Sequence, residues 1–109
     1  MAWFRRRQAV VQQTVDRDPF PSDRVHLEQF AQARQGVEAY IEPQTNVTQT
    51  TVILIAHDGE WTRRRVASPE SARRWAHGLS IPVYDVALMG YPKRMRDYNA
   101  RQKRPPAQR

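Results

Sequence analysis

The chain contains no cysteine, and this absence excludes several kinds of site at once. Disulfides, thiolate-ligated zinc, iron–sulfur clusters and thiol nucleophiles all need a cysteine sulfur. Glycine is scarce, at four residues, and none of the glycine-rich patterns of dinucleotide-binding proteins, P-loop proteins or serine hydrolases occurs. We therefore expect no cofactor, and the expected compartment is the cytoplasm because nothing points to an oxidising one.

Long apolar runs are missing as well. Ala9-Val10-Val11 is interrupted by Gln12-Gln13, and no other window approaches the roughly 20 apolar residues that a membrane span needs. We expect neither a signal peptide nor a spanning helix. With 109 residues, 39% of them hydrophobic, the chain is suited to one small domain. We expect an N-terminal arm over 1–21, a domain over 22–90, and a basic helix and tail over 91–109.

Positive charge is concentrated in the second half of the sequence. Residues 1–50 carry six Arg and six acidic residues, whereas residues 51–109 carry twelve basic and five acidic residues. Within the last segment, 91–109, seven basic residues stand against Asp97 alone. A clustered excess of this kind produces an electrostatic field that attracts polyanions. We give the preference for Arg over Lys little weight, because the high-GC coding of a bacterial gene would produce the same bias.

The first half of the chain predicts one helix and two strands. A helix over about 22–35 would be capped by Ser22 or Asp23 and ended by Gly36. Period-two alternation predicts a strand from Val37 to Ile41 that ends before Pro43, followed by a polar loop. The apolar, β-branched run from Val52 to Ala56 indicates a central strand.

Asp58-Gly59 predicts a hairpin with a type I′ turn. The two-residue turn would pair Ala56 with Trp61, and therefore Leu54 with Arg63 and Val52 with Arg65.

Ser68-Pro69-Glu70 is typical of a helix start, and Ala72, Trp75, Ala76 and Leu79 follow at helical spacing as core residues. A strand over 83–88, a helix over 93–104 and disorder over 105–109 complete the prediction. The expected fold is α+β: a small antiparallel sheet of three to four strands, with two helices packed on one face and a basic C-terminal helix and tail.

Two basic segments could bind a polyanion. On the predicted strand, Trp61, Arg63 and Arg65 would share one face, with phosphate contacts from Arg and base stacking from Trp. The alternative is structural, since arginine stems often cover the edge of a core and charges protect an edge strand. The second segment interleaves cations with tyrosines, and its candidate binding residues are Tyr91, Lys93, Arg94, Arg96, Tyr98, Arg101, Lys103 and Arg104.

We therefore expect a non-enzymatic protein that binds RNA or DNA phosphates through its Arg-rich C-terminal segment. The alternative is an adaptor that docks this segment on an acidic protein surface, with Met95 and Tyr98 as apolar anchors. The segment's apolar face is too small to favour a membrane surface. His26, His57 and His77 show no metal-ligand spacing. A third hypothesis is a metal-independent ribonuclease-like enzyme, because that chemistry needs acid–base groups and stabilisation of phosphate charge but no signature motif; its candidate groups are His57, Arg63, Arg65 and Tyr84.

Overall fold

The structure, a computed structural model, describes residues 19–45 and 49–103. Four strands form one sheet in the order β3-β2-β1-β4, where β1 is Glu38–Glu42, β2 Thr51–Ile55, β3 Trp61–Arg65 and β4 Val83–Asp85. The helices are α1 (Pro21–Ala33), α2 (Pro69–Gly78), the single turn α3 (Val86–Met89) and α4 (Lys93–Gln102). The α+β class is confirmed. The predictions for residues 1–18 and 104–109 lie outside the described residues.

The sheet is mixed rather than antiparallel throughout. β1 pairs antiparallel with β2, and β2 antiparallel with β3, but β4 lies parallel to β1, with Tyr84 opposite Tyr40. The cause is α2, because it carries the chain across one face of the sheet before β4 begins, as a parallel connection requires.

Helices cover both faces of the sheet, whereas the sequence led us to expect them on one. On the first face, β1 and β2 pack against α1 and α2; the buried residues there include Leu27, Phe30, Ala39, Ile41, Val52, Leu54, Ala72 and Ala76. On the second face, Tyr40, Ile53 and Ile55 pack with Met95 of α4. β2 is therefore central, as predicted, and both of its faces are buried. We call the second face the α4 face.

The hairpin between β2 and β3 does not have the predicted type I′ turn. The amide of Gly59 donates to the Ala56 carbonyl at 3.0 Å, and the Ala56 amide donates to the Glu60 carbonyl at 2.8 Å. Three residues, 57–59, therefore form the loop, with Gly59 at φ 94°. This arrangement fits a turn followed by a glycine bulge, which adds one residue to the loop.

The extra loop residue shifts the predicted register. Trp61 pairs with Ile55, Arg63 with Ile53 and Arg65 with Thr51, instead of Ala56, Leu54 and Val52. A shift of one residue exchanges the faces of a strand. Trp61 and Arg63 therefore lie on the α4 face, and Thr62 lies on the other, where its hydroxyl is 2.7 Å from His26 Nε2.

Three local predictions need correction. α1 starts at Pro21 with Phe20 as its N-cap, so Ser22 and Asp23 are inside the helix. The strand expected over 83–88 ends at Asp85, because the Asp85 carboxylate accepts a hydrogen bond from the Ala87 amide at 2.9 Å and begins α3. Leu79 is 38% exposed, and Ile81 is buried in the core instead.

The start of α2 is confirmed, and it gives a test of helix capping. Ser68 and Ser71 form a reciprocal capping box at 3.1 and 3.2 Å. We expect Ser68→Ala to lower the free energy of unfolding by about 1 kcal/mol, because one backbone amide loses its acceptor. Ser22→Ala is the matched control, since Ser22 is a predicted cap that the fold does not use; its effect should stay within about 0.5 kcal/mol. Urea unfolding measures both, and equal losses would contradict the assignment.

Candidate binding surface

Glu42, at the end of β1, is the centre of a polar cluster on the α4 face. Its side chain is 11% exposed and accepts hydrogen bonds from Thr51 Oγ1 at 2.6 Å, and from Nε and Nη2 of Arg63 at 2.7 and 3.0 Å. The Tyr91 hydroxyl donates to Glu42 Oε2, the oxygen that also accepts from Nη2 of Arg63. The Arg63 contact is bidentate, the strongest geometry for such a pair. Two predicted binding residues, Arg63 and Tyr91, are thus bound to this carboxylate, although the Arg63 side chain is still 44% exposed.

The protonation states in this cluster keep its charges balanced at neutral pH. Burial raises the pKa of Glu42, but hydrogen bonds from Arg63, Thr51 and Tyr91 outweigh burial and bring it below its ordinary value. Burial raises the pKa of Tyr91, and the hydrogen bond to the Glu42 carboxylate raises it further. The carboxylate is therefore ionised, the phenol is neutral, and Glu42 balances the charge of Arg63.

Glu38, at the other end of β1, holds α4 through Arg94. Nη2 of Arg94 donates to Glu38 Oε1, and Nε donates to the Ala56 carbonyl at 3.0 Å. The Tyr40 hydroxyl donates to the same carboxylate at 3.1 Å, and the rings of Tyr40 and Tyr84 lie 5.2 Å apart. Arg94, predicted to contact phosphate, therefore connects α4 to two strands.

The C-terminal part of α4 is bound to the β2–β3 hairpin. Trp61 Nε1 donates to Asn99 Oδ1 at 2.7 Å, which holds the half-buried indole under the helix. Nη2 of Arg101 donates to the Asp58 carbonyl at 2.9 Å, and its guanidinium carbon is 5.7 Å from the centre of the half-buried Tyr98 ring. The aromatic side chains expected to stack on bases are therefore engaged within the protein.

Arg65 does not join Trp61 and Arg63. Its Nε donates to Asp23 Oδ2 at 3.1 Å, and its guanidinium carbon lies 4.3 Å from the centre of the Phe20 ring. It therefore connects the end of β3 to the start of α1.

The remaining predicted cations lie on one exposed side of α4. Lys93, Arg96, Ala100 and Lys103 are exposed and follow at spacings of three and four residues, so they share a helix face. We call these four residues the outer face of α4. Lys93 forms an ion pair with Asp97 at 3.1 Å and is 79% exposed; Arg96 donates to the Tyr91 carbonyl at 2.9 Å. Arg104 lies outside the described residues.

The groups of the ribonuclease hypothesis are spread over the fold. Tyr84 and Arg63 lie on the two edge strands, separated by two intervening strands and thus by about 14 Å between backbones. His57 is in the hairpin loop, where its amide donates to the Gln35 carbonyl at 2.9 Å. The described residues do not bring these side chains together. Within 19–45 and 49–103, no group of three His, Asp or Glu side chains is placed to hold a metal ion.

Sequence reasoning missed Glu38 and Glu42 as the partners of Arg94 and Arg63. One signal could have found them. The uninterrupted apolar run of β2 is typical of a strand buried on both faces, so a second covering layer was required. Only the C-terminal helix remained to supply it, and the arginines of that helix would then face the acidic residues that alternate with Tyr40 on β1.

Comparisons with protein-family models, with curated proteins and with solved structures gave no match for this chain. The structure defines its class as a small α+β domain with a cationic helix on its second sheet face. None of the helices in the described ranges has both the length and the apolar character needed to cross a bilayer.

Proposed function

We propose that the protein binds nucleic acid non-enzymatically, with the outer face of α4 contacting phosphates. The observation that supports this proposal is that some cations of the C-terminal segment are paired within the fold, whereas others are exposed on one side of α4. Arg94 is paired with Glu38 and only 29% exposed, whereas Lys93, Arg96 and Lys103 are exposed on one side of α4, where the Lys93–Asp97 pair is itself open to solvent. Cations at helical spacing on a packed helix form a fixed row that can lie along a phosphate backbone.

The internal contacts of the aromatic residues argue against binding by base stacking. Trp61 and Tyr91 pack against the buried cluster of the α4 face and donate hydrogen bonds to Asn99 and Glu42, so neither ring is an open stacking platform. Stacking is the main source of preference for unpaired bases. The proposal is therefore a phosphate-contacting helix with little sequence preference, and duplex DNA or structured RNA is the favoured ligand.

The experiment is fluorescence anisotropy with labelled duplex DNA and single-stranded RNA across a range of salt concentrations. The test variant neutralises the outer face: Lys93→Gln, Arg96→Gln and Lys103→Gln. We expect the slope of log affinity against log salt on duplex DNA to become shallower by about 0.9 for each lost phosphate contact. Substitutions are preferred to ending the chain at Pro92, because loss of α4 would expose Tyr40, Ile53 and Ile55.

The matched control removes three cations from elsewhere: Arg64→Gln, Arg73→Gln and Arg74→Gln. It changes the net charge equally, and Arg73 and Arg74 lie on α2, across the sheet from α4. We expect the control to keep most of the wild-type slope. Equal losses in the two variants would mean that total charge, not the outer face, drives binding. Absence of wild-type binding at physiological salt would refute the proposal.

A further inference from the structure

The turn α3 presents two large apolar side chains to solvent. Leu88 is 84% exposed and Met89 is 65% exposed, more than any other large hydrophobic residue in the described part of the chain. The sequence predicted a strand that includes Leu88. The described part of the chain therefore leaves these two side chains largely uncovered.

The backbone of the turn that carries Leu88 and Met89 is held by a hydrogen bond at each end. At the start, the Asp85 carboxylate accepts from the Ala87 amide at 2.9 Å; at the end, the Gly90 amide donates to the Val86 carbonyl at 2.8 Å, with Gly90 at φ 69°. A turn held in this way loses little conformational entropy on binding. The exposed pair is thus a preorganised projection, which we call the α3 knob.

Two arginines contact residues that flank the α3 knob in the chain. Nη2 of Arg73 is 3.8 Å from the carboxylate of Asp85, the residue that caps α3, and Nη1 of Arg96 is held at the Tyr91 carbonyl, two residues beyond Met89. Both side chains are solvent-exposed. An apolar centre with an arginine rim is the pattern of protein–protein contact sites, in which Met and Arg are enriched.

We propose that the α3 knob docks into a protein partner that offers an apolar pocket bordered by carboxylates. We infer the partner's carboxylates from charge complementarity to Arg73 and Arg96. We infer its apolar pocket from the exposure of Leu88 and Met89. The site shares Arg96 with the proposed phosphate contacts, but its apolar centre, Leu88 and Met89, takes no part in those contacts and does not depend on them. Two apolar side chains offer too small a face for stable burial in a membrane interface.

The experiment selects peptides from a random displayed library on the immobilised full chain. We expect selected peptides to combine apolar residues with Asp or Glu. A synthetic selected peptide should bind the Leu88→Ser, Met89→Gln variant at least tenfold more weakly than wild type. This variant has the same net charge as wild type. Weaker peptide binding would therefore show a contribution of the α3 knob and not a general attraction of acidic peptides to a basic protein. Arg73→Gln with Arg96→Gln should weaken binding further.

The matched control is Val25→Ser with Leu79→Ser, which alters the two other exposed large hydrophobic residues of the described chain. It should bind the peptide as wild type does, and thermal unfolding should show that both variants are folded. Selected peptides that bind the knob variant undiminished would overturn the proposal, as would failure to select any. Binding to phosphatidylcholine–phosphatidylglycerol vesicles that requires Leu88 and Met89 would also overturn it. Loss of duplex DNA affinity in the knob variant would assign the surface to nucleic acid instead.

Discussion

Gly59→Ala lowers the free energy of unfolding by about 3 kcal/mol, through backbone strain and overpacking together. Gly59 has φ 94°, a conformation that side chains rarely adopt. A β-carbon built there lies 2.0 Å from the Arg94 carbonyl oxygen and 2.9 Å from Tyr98 Cβ. The nearest atom belongs to the backbone of α4, so the helix or the hairpin must move. Urea unfolding measures the loss.

Two other glycines separate strain from the clash. Gly90 has φ 69° but open space around its β-position, so Gly90→Ala should cost only about 1 kcal/mol from strain. Gly78 has neither feature, and Gly78→Ala should be neutral or stabilising by up to about 1 kcal/mol. If Gly59→Ala costs no more than Gly90→Ala, α4 does not approach the hairpin as closely as the structure shows.

Glu42→Ala should have the second large effect, and we expect it to lower the free energy of unfolding by about 3 kcal/mol. The substitution leaves the Arg63 guanidinium, the Tyr91 hydroxyl and the Thr51 hydroxyl without their common acceptor. Glu70, an exposed acidic residue in the first turn of α2, provides the control. Glu70→Ala should cost less than about 1 kcal/mol, as expected for a surface charge near a helix start. Similar losses at the two positions would contradict the central role of Glu42.

The contribution of Glu42 should also depend on pH. The folded-state pKa of Glu42 lies below its ordinary value of 4.5, so the unfolded chain binds a proton first as the pH falls. The stabilisation is fully present above pH 4.5 and disappears as the pH decreases through the folded-state pKa. The difference in stability between wild type and Glu42→Gln should therefore be constant near neutral pH and shrink in acid. A difference that persists unchanged in acid would contradict the assignment.

Stability and binding should depend on different contacts of the C-terminal segment. Glu42→Ala removes the contact that holds Tyr91, just before α4, to the sheet, whereas neutralising Lys93, Arg96 and Lys103 changes the exposed side of the helix. We expect the first change to lower stability with little effect on the salt slope of the folded protein, and the second to do the reverse.

Local chemistry in the sequence determined most of the elements. The Ser68-Pro69-Glu70 start places the N-terminus of α2, and the break before Lys93 places the start of α4, because capping and proline geometry act within a few residues. The continuous apolar run of β2 determined the central strand. The absence of cysteine excluded thiol chemistry without any knowledge of the fold.

Only the tertiary structure decided which side chains are free to bind. One bulged residue in the hairpin moved Trp61 and Arg63 to the α4 face, and a single-residue difference in a turn is not encoded by the strand pattern. Pairing of Arg63 with Glu42 and of Arg94 with Glu38 joins residues 21 and 56 positions apart. Net charge in the sequence is only a sum, whereas the folded chain pairs two particular guanidiniums, those of Arg63 and Arg94, with carboxylates of β1. That pairing depends on packing across the sheet.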